Sequence, residues 1–447
     1  MHPALRIMGL KGLERQVFAA LCKQPEGTSQ ASILAALGPS APSQSTVSRA
    51  LGRLIEVGIV IKSGATRDAS FRLAPEARWF SIPGHLRPPV HYDPRRFLDY
   101  DPDQAPWLGA SARAAMGAVV EEGNVKLDPS TYSREIAERF MIEMAWASSA
   151  LEGNTYTLLE TEVLVKYAEA AGGRSAEEAA MIVNHKNAIA WLVDNIASVE
   201  VSPQTAMRLH AMLMRGLVRQ DNLGSVRRVP VNITTSSYVP SADHVDLQAG
   251  LGELCYKANM AKDPFEASFA LLAGTSYLQA FIDGNKRTGR LLCNIPLLKA
   301  GLPPISFVGV DRQAYGVGMT TWYELGDPSY VAEEIASGYV RSAPSYLVAN
   351  VTKRVVRSVE IRERRRFDEA LEDYVDGFLS GSLDVGPGEF ASERFQDLDA
   401  DDLDVILTSF KEVVEAMDAV KASAYGLDPD LAERFKAARD AASGFKP

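Results

Sequence analysis

The sequence predicts a mainly α protein with two or three domains, and three observations support this. The chain has 447 residues, too many for one simple core, and a hydrophobic content of 46%, too high for a disordered protein. Residues 1–82 combine three helical runs with two short strand-like runs. From Thr131 onward apolar residues recur at helical spacing, which predicts helices over 133–151, 157–170, 176–197, 203–219, 246–258, 264–280 and 285–300.

The composition excludes several classes of protein. Cys22, Cys255 and Cys293 are far apart and show no Cys-x-x-Cys spacing, which excludes a disulfide framework and argues against a zinc site. No run approaches the ~18 consecutive apolar residues that a membrane span needs, and the N-terminus lacks a signal-peptide pattern. We therefore expect a cytoplasmic protein without a membrane partner.

Residues 1–82 have the pattern of a winged helix-turn-helix. Helical spacing predicts three helices, over 12–23, 28–37 and 43–58. Thr28 caps the second helix, and Ser43 or Ser45 caps the third. The runs 59–62 and 71–73 are typical of strands joined by a turn. Three helices followed by such a hairpin predict a winged helix.

The third helix suggests a partner for this segment. Its exposed side carries polar and basic side chains that can read base edges and phosphates, namely Gln44, Ser45, Thr46, Ser48, Arg49 and Arg53. Arg67, in the turn between the strands, would reach an adjacent phosphate. Residues 1–80 hold ten Lys+Arg against five Asp+Glu, although the whole chain carries a net charge of -10. We expect duplex DNA as a partner; the alternative is a protein-docking module in which these residues are caps and surface groups.

Two further segments flank the predicted helical core, which covers 131–346. Residues 83–130 begin with a proline-rich stretch, which is typical of a linker or of an extended strap over the next domain. Residues 347–447 are strongly charged, with a basic run at 362–366 and an acidic run at 397–404. This C-terminal region is predicted to form two or three solvated amphipathic helices.

The most informative segment is the loop from Asp283 to Arg290, which lies between two apolar helical runs. A polar glycine loop in this setting directs backbone N–H groups outward at the start of a helix, where they can bind phosphate. Gly284 allows close backbone approach or a positive φ, and Asp283 offers an oxygen to a divalent cation. Arg287 and Arg290 share a helical face from which guanidinium groups can clamp phosphate oxygens. The alternative is an ordinary Gly-Asn turn whose arginines pair with surface acids.

This loop closely resembles the signature of the Fic family, His-x-Phe-x-Asp/Glu-Gly-Asn-Gly-Arg-x-x-Arg. The matching positions are Phe281, Asp283, Gly284, Asn285, Arg287 and Arg290. The stretch 148–153, with Ser148, Glu152 and Gly153, resembles the inhibitory-helix motif of the family, Ser/Thr-x-x-x-Glu-Gly/Asn. A third stretch resembles the family's flap, a β-hairpin that would hold a target segment by strand addition, and contains Gly224-Ser225-Val226-Arg227, then Val231, Asn232, Ile233 and Tyr238.

The resemblance covers 136–346 and implies an all-helical Fic core with a β-hairpin flap that binds ATP and Mg²⁺. It implies that Phe281 anchors the core, that Asp283 binds magnesium, and that the nucleotide contacts come from Gly284, Asn285, Lys286, Arg287 and Arg290. It also implies an inhibitory helix at about 136–152, whose Glu152 pairs with Arg290 and displaces the γ-phosphate.

Glu152 has a physical argument of its own. An acid in the last turn of a helix faces the negative end of the helix dipole, so a cation is expected beside it. The alternative is a plain helix end with Gly153 as the stop.

Two positions depart from the signature. Gln279 stands where the family has its catalytic His, and losing a general base costs about 10²–10⁴-fold in rate. An amide can still orient a hydroxyl or a water, so Gln279, Asp283, Asn285 and Arg287 form the catalytic set that the resemblance implies. Lys286 replaces the second glycine, as in the Doc branch of the superfamily, where such a loop goes with phosphoryl transfer. Doc-like proteins generally lack the second arginine, which is present here as Arg290.

Two functions follow from these residues. The first is a nucleotide-binding Fic module with weak or lost AMP transfer that regulates a DNA-binding winged helix. The second is an active transferase that moves AMP or phosphate to a protein hydroxyl and is autoinhibited by Glu152. Neither identifies the target protein, and for both we expect a homodimer, since symmetric pairing is common.

Overall fold

The computed structural model describes residues 2–39, 41–65, 68–123, 134–347, 363–383, 385–417, 422, 425 and 427–442. It confirms the prediction of a mainly α protein, because most of these residues are helical and the strands are short. The chain forms two compact units. The first contains residues 1–113, 226–285 and 310–336, and the second contains 114–225, 286–309 and 337–447.

The N-terminal part of the first unit has helices and strands in the predicted order. They are α1 (Pro3–Gly9), α2 (Gly12–Cys22), β1 (Thr28–Ser29), α3 (Gln30–Leu37), α4 (Gln44–Glu56), β2 (Val60–Ser63), β3 (Ser70–Leu73) and α5 (Pro75–Ser81). The three strands form one antiparallel sheet with the order β1-β3-β2. Ser43 caps α4 by accepting the Thr46 N–H at 3.4 Å. The positions of α2, α3 and α4 and of the β2-β3 hairpin were predicted; α1, β1 and α5 were not.

The cap of α3 corrects one prediction. Ser29, not Thr28, is the capping residue, and its hydroxyl accepts the Ser32 N–H at 3.2 Å. Thr28 instead pairs with Phe71 in the sheet. The short strand therefore moves the start of the helix by one residue beyond the position that local propensity favours.

The proline-rich stretch packs closely on the rest of the first unit. It contains a 3₁₀ turn (Gly84–Leu86), β4 (Val90–His91) and α6 (Arg95–Leu98), and α7 (Ala110–Gly123) follows it. The Asp93 N–H donates to the Tyr277 hydroxyl at 2.8 Å, and the Lys257 ammonium donates to the Tyr100 carbonyl at 2.6 Å. These bonds hold residues 90–100, called the strap, against α12 and α13 (residues 244–260 and 264–278). Residues 124–133 lie outside the described part of the chain.

The flap does not form the predicted β-hairpin. Its one strand, β5 (Tyr238–Val239), pairs in parallel with β4, with Val90 opposite Tyr238 and His91 opposite Val239. Residues 231–237 have no strand structure. The backbone of β5 finds its hydrogen-bonding partner in the strap, 148 positions earlier (238 − 90), which no local pattern in the sequence indicates.

The remaining helices of the first unit include the helix that leads into the glycine loop. They are α12 (His244–Met260), α13 (Pro264–Leu278) and α16 (Arg312–Leu325), numbered in chain order, and α12 packs along α13. Every residue of α13 from Phe265 to Leu278 is buried. The chain therefore leaves a fully buried helix directly into the loop.

The second unit contains the helix that was predicted to be inhibitory. The helices that lie wholly in this unit include α8 (Arg134–Leu151), α9 (Leu158–Tyr167), α10 (Ala176–Asp194), α11 (Pro203–Leu213), α15 (Asn294–Lys299) and the short helical turn α18 (Pro344–Leu347). The helices α14 (Asn285–Leu292) and α17 (Ser329–Ser342) begin in the first unit and continue into the second. Helix α10 packs against α8, α9 and α11. Both α9 and α10 begin with a capping box, at Thr157/Glu160 and Ser175/Glu178.

The single helix predicted over 285–300 is broken at Cys293 into α14 and α15. Pro296 has no N–H and cannot bond back to the carbonyl of Leu292, which explains the break.

The C-terminal region has a core of its own, contrary to the prediction of two or three solvated helices. Its described residues form α19 (Arg364–Ser380), α20 (Pro387–Arg394), α21 (Ala400–Glu415) and α22 (Pro429–Ala442). Aromatic side chains fill the centre, among them Phe367, Tyr374, Phe395, Phe410 and Phe435. The charged runs that dominate the sequence hide this apolar periodicity. Within the described chain, no helix is long and apolar enough to cross a membrane.

Candidate functional site

The loop between α13 and α14 turns on two left-handed residues. Gly284 has φ +74°, which agrees with the prediction that a glycine is needed there. Gln279, the last residue before the turn, has φ +52°, and its N–H donates to the Thr275 carbonyl at 3.3 Å as the cap of α13. A left-handed conformation is costly for a residue with a side chain, so contacts of Gln279 must maintain it.

The side chain of Gln279 is turned into the loop. Its amide nitrogen donates to the Ser276 carbonyl at 2.7 Å, and its amide oxygen accepts the Asn285 amide at 3.1 Å. The Arg227 guanidinium donates to the Gln279 carbonyl at 2.7 Å. Only 8% of the residue is exposed. Both ends of the amide therefore brace the loop.

Asn285 closes the loop with its side chain. The amide nitrogen donates to the Phe281 carbonyl at 2.8 Å as well as to Gln279, and the amide oxygen accepts the Phe281 N–H at 2.8 Å. Phe281 itself is fully buried, in agreement with its predicted role as a core anchor. Because these bonds engage both ends of the Asn285 amide, its contribution to an anion site would come from the backbone.

Asp283 is the exposed acid of this loop. Its carboxylate accepts the Gly284 N–H at 2.6 Å. Among the residues that the structure describes, no group of three or more His, Cys, Asp or Glu side chains could hold a metal ion. A magnesium ion that is mainly held by nucleotide phosphates needs only one or two protein carboxylates, and Asp283 fits that pattern.

The two arginines of α14 are both buried in spite of their charge. Arg287 is 5% exposed, and Arg290 is completely buried. The Nε of Arg290 donates to the Ser148 hydroxyl at 2.8 Å, and Nη2 donates to the Ser148 carbonyl at 3.0 Å. Nη2 also donates to the Glu152 carboxylate at 2.7 Å. The expected cation beside Glu152 is therefore Arg290, 138 positions later in the chain.

The charge of Glu152 is stabilised by three cations. Burial alone would raise the pKa of this carboxyl, but Arg290, Lys286 and Arg287 outweigh it and lower the pKa to about 2. The side chain keeps 22% of its surface exposed. Lys286, which replaces a glycine of the Fic signature, thus adds positive charge next to Glu152.

His185 is a site residue that the sequence analysis missed. It lies on α10 and is completely buried, with Nε2 at 2.9 Å from the Ser148 hydroxyl and Nδ1 at 2.8 Å from the Met181 carbonyl. Burial lowers the pKa of the imidazole to about 3, against the hydrogen bond with Met181. The sequence pattern that could have indicated it is the position of His185 three residues after Ile182 and three before Ala188, on the buried face of α10.

The predicted flap residues do not share one environment. Asn232 is exposed and Val231 and Ile233 are half-buried, whereas Tyr238 is 2% exposed, donates its hydroxyl to the Tyr277 carbonyl at 2.8 Å and stacks on Tyr277. Tyr238 is therefore a core residue.

Arg227 connects the flap to the loop. Besides its bond to Gln279, the guanidinium donates to the carbonyls of Val229 at 2.7 Å and Ser241 at 2.6 Å, and so ties both ends of the flap segment to the loop.

The N-terminal candidates lie on the surface of α4. The residues Gln44, Ser45, Ser48, Arg49 and Arg53 are exposed, and Thr46 is half-buried. Arg53 forms an ion pair with Glu14, so part of its charge is used within the domain. Arg67 lies outside the described residues.

Comparison with known proteins identifies the central part of the chain. Residues 200–297 match the model of the Fic/DOC family. This region is similar to the Fic/DOC family. It includes the loop 279–285 and the arginines of α14, whereas Ser148, Glu152, His185 and the N-terminal helices lie outside the Fic/DOC region.

The curated relatives are similar over a limited part of their length. The chain is 27% identical over 208 residues to "Protein adenylyltransferase Fic" of Drosophila erecta, which covers 46% of this chain and 40% of that protein. It is 29% identical over 189 residues to the protein of the same name from Nematostella vectensis, covering 41% of this chain and 43% of that one. The chain thus spans less than half the length of these relatives.

Two solved structures align with part of the chain at low similarity. Fic-1 of C. elegans (residues 134–508) aligns with a TM-score of 0.44 and 21% identity over 53% of this chain and 70% of that one. A Fic family protein of Desulfovibrio desulfuricans aligns with a TM-score of 0.45 and 19% identity over 72% of this chain and 86% of that one.

Proposed function

We propose that this chain is a Fic-type nucleotide-binding protein that binds Mg-ATP, has weak or lost AMP transfer, and is autoinhibited by Glu152. The observation that carries the proposal is the ion pair between Glu152 and the buried Arg290, at 2.7 Å. A buried guanidinium that is held by a carboxylate is a group that a phosphate can also bind. Glu152 and the γ-phosphate would therefore compete for Arg290.

The segment from Asp283 to Arg290 supports phosphate binding. Gly284 permits a tight turn at the start of α14, where backbone N–H groups and the helix dipole favour an anion. Lys286, Arg287 and Arg290 add three positive charges within five residues (286–290). Asp283 would hold the magnesium ion, which would neutralise phosphate charge when bound.

Weak or lost AMP transfer follows from Gln279. An amide does not take a proton from a hydroxyl near neutral pH, so the step that a His would catalyse lacks its base. The hydrogen bonds of Gln279 to Ser276 and Asn285 also keep the amide inside the loop, away from an incoming hydroxyl. The residue therefore stabilises the loop and does not act on a target.

The second candidate is an active transferase that moves AMP or phosphate from ATP to a protein hydroxyl. Its support is that the similar proteins of Drosophila erecta and Nematostella vectensis carry the name protein adenylyltransferase. Lys286 in the loop favours phosphate over AMP as the transferred group, by the resemblance to Doc.

Calorimetry with Mg-ATP tests nucleotide binding. We expect Glu152→Gly to bind Mg-ATP about 10-fold more tightly than wild type, because Glu152 no longer competes with the γ-phosphate for Arg290. A factor of 10 in affinity corresponds to about 1.4 kcal/mol. The matched control is Glu169→Gly, which removes an exposed carboxylate just after the end of α9 and should leave the affinity unchanged. Absence of binding by the Glu152→Gly protein would refute the proposal.

Labelled ATP separates the two candidates. Incubation of the Glu152→Gly protein with ATP labelled at the α or at the γ position should leave the protein unlabelled, or only slowly labelled from the α position, if the first candidate is correct. Self-labelling from the α position would establish AMP transfer, and self-labelling from the γ position would establish phosphoryl transfer. Rapid labelling of most of the protein from either position would contradict the first candidate and support the second.

We further propose that residues 1–82 are a winged helix that binds duplex DNA, in a homodimer that couples nucleotide state to DNA binding. Support comes from the exposed residues of α4 and the local excess of positive charge. Arg49→Ala should weaken DNA binding and reduce its salt dependence. Arg15→Ala on α2 is the matched control, since it removes an exposed arginine outside α4. DNA binding without salt dependence, or its absence, would contradict this role.

A further inference from the structure

The tautomer of His185 is determined by its hydrogen bonds. Nδ1 lies 2.8 Å from the Met181 carbonyl, which can only accept a hydrogen bond, so Nδ1 carries the proton. The ring is neutral in this buried position, so its Nε2 has a lone pair that can only accept. The group at 2.9 Å from Nε2 is the Ser148 hydroxyl, which must be the donor.

This tautomer determines the orientation of Ser148. The hydroxyl has one proton, and that proton points at His185. The lone pairs of the Ser148 oxygen then remain for Arg290, whose Nε donates to it at 2.8 Å. Hydrogen bonds therefore run in one direction, from Arg290 to Ser148, from Ser148 to His185, and from His185 to Met181.

The chain of bonds holds one edge of the Arg290 guanidinium. Nε is bound to the Ser148 hydroxyl and Nη2 to the Ser148 carbonyl, and the same Nη2 reaches Glu152. Ser148 thus aligns the plane of the guanidinium independently of Glu152. All three side chains of this relay, Arg290, Ser148 and His185, are completely buried, so water does not replace a missing partner.

We propose that His185 is a positioning residue that acts through Ser148 to hold Arg290 in the orientation in which it binds a carboxylate or a phosphate. For the carboxylate, the structure contains the partner, Glu152. For the phosphate, the inference rests on the proposed function of nucleotide binding. Loss of the relay should weaken both interactions, because both use the same guanidinium.

Two amides at position 185 separate the roles of the two ring nitrogens. In His185→Gln, the amide oxygen of the new side chain lies near the position of Nε2, where it can accept a hydrogen bond from the Ser148 hydroxyl. In His185→Asn, the amide nitrogen lies near the position of Nδ1 and can donate to the Met181 carbonyl, but the shorter side chain does not reach Ser148. If His185 positions Arg290, the Gln variant retains the function and the Asn variant loses it.

Nuclear magnetic resonance tests the positioning without nucleotide. In the wild-type protein, we expect the ¹⁵N signals of His185 to show a proton on Nδ1 and none on Nε2 at neutral pH. The Nε–H signal of Arg290 should be protected from exchange with solvent in wild type and in His185→Gln, and should lose that protection in His185→Asn and Ser148→Ala. A proton on Nε2, or equal protection in all four proteins, would overturn the proposal.

Nucleotide affinity gives the second test, in the Glu152→Gly background. We expect His185→Asn and Ser148→Ala each to weaken Mg-ATP binding roughly 10-fold, because a hydrogen bond to a charged group is lost, and His185→Gln to remain close to the parent. The double variant Ser148→Ala/His185→Asn should bind like either single variant, since both act on one relay. Additive losses, or equal affinity of the Asn and Gln variants, would overturn it.

The two tests also distinguish failure of this proposal from failure of nucleotide binding. If Glu152→Gly does not bind ATP but the Arg290 signal behaves as expected, the proposed function fails and the positioning of Arg290 for Glu152 stands. Thermal melting of each variant accompanies both tests, and the Ser148→Ala variant, which removes one oxygen atom, provides the result if the His185 variants do not fold.

Discussion

Replacement of Glu324 by alanine should strongly destabilise the first unit. The Glu324 side chain is completely buried and accepts four hydrogen bonds, from Trp79 at 2.5 Å, from the Ser236 hydroxyl at 2.6 Å, from the Ser237 N–H at 2.8 Å, and from Arg87. One carboxylate therefore joins the helix α5, the end of the 3₁₀ turn that precedes β4, and the segment that leads into β5.

The magnitude follows from the charge that would be left behind. Arg87 is 7% exposed in its side chain, so removal of its partner leaves a buried cation without a counter-charge. Removal of one partner of a buried ion pair costs about 3–5 kcal/mol. The Trp79 and Ser236 side chains also lose a hydrogen bond each, so we do not expect the loss to lie at the lower end of that range. We expect a loss of about 4 kcal/mol in the free energy of unfolding.

Urea denaturation followed by tryptophan fluorescence measures this loss, because Trp79, Trp107 and Trp322 all lie in the first unit. The matched control is Glu333→Ala, which removes an exposed carboxylate from α17. A double replacement, Arg87→Met with Glu324→Met, should be less destabilising than Glu324→Ala, because no charge is left buried. A loss below about 1 kcal/mol for Glu324→Ala, or one equal to that of the control, would refute the reasoning.

Three further predictions concern the second unit and the loop. The pKa of His185 is 6.5 in the unfolded chain and about 3 in the folded protein, so the free energy of unfolding falls as the pH drops below 6.5 and is unaffected above pH 7. This one group should remove about 2 kcal/mol of stability at pH 5. Urea unfolding of His185→Gln should lack that part of the pH dependence. Gly284→Ala places a side chain at φ +74° and should cost about 1–2 kcal/mol in urea unfolding, whereas a cost near zero would show that the turn is not constrained. Phe410→Ala removes a completely buried ring from the C-terminal core and should cost about 3–5 kcal/mol by the same assay; a change below 1 kcal/mol would mean that this core contributes little.

Features that depend on neighbours along the chain could be predicted from the amino-acid sequence. Helical spacing placed α2, α4, α8–α13 and the start of α14 after the glycine loop, because a buried stripe repeats every three or four residues. Gly284 was recognised because only a glycine adopts a left-handed turn at little cost. Glu152 at a helix end was expected to have a cation beside it, because of the helix dipole, and Arg290 is that cation.

Features that depend on residues far apart in the chain could be seen only in the folded protein. Arg290 meets Ser148 across 142 positions, and β5 pairs with a strap that lies 148 positions before it (238 − 90), so neither contact leaves a local pattern. Gln279 and Asn285 have polar side chains that could equally face a ligand or the loop, and only the folded turn shows that both face the loop. His185 is part of the site because its ring is buried at hydrogen-bonding distance from Ser148. Hydrogen-bond direction and burial are properties of three-dimensional packing, and for that reason the sequence indicated the charges of this site but not the groups that position them.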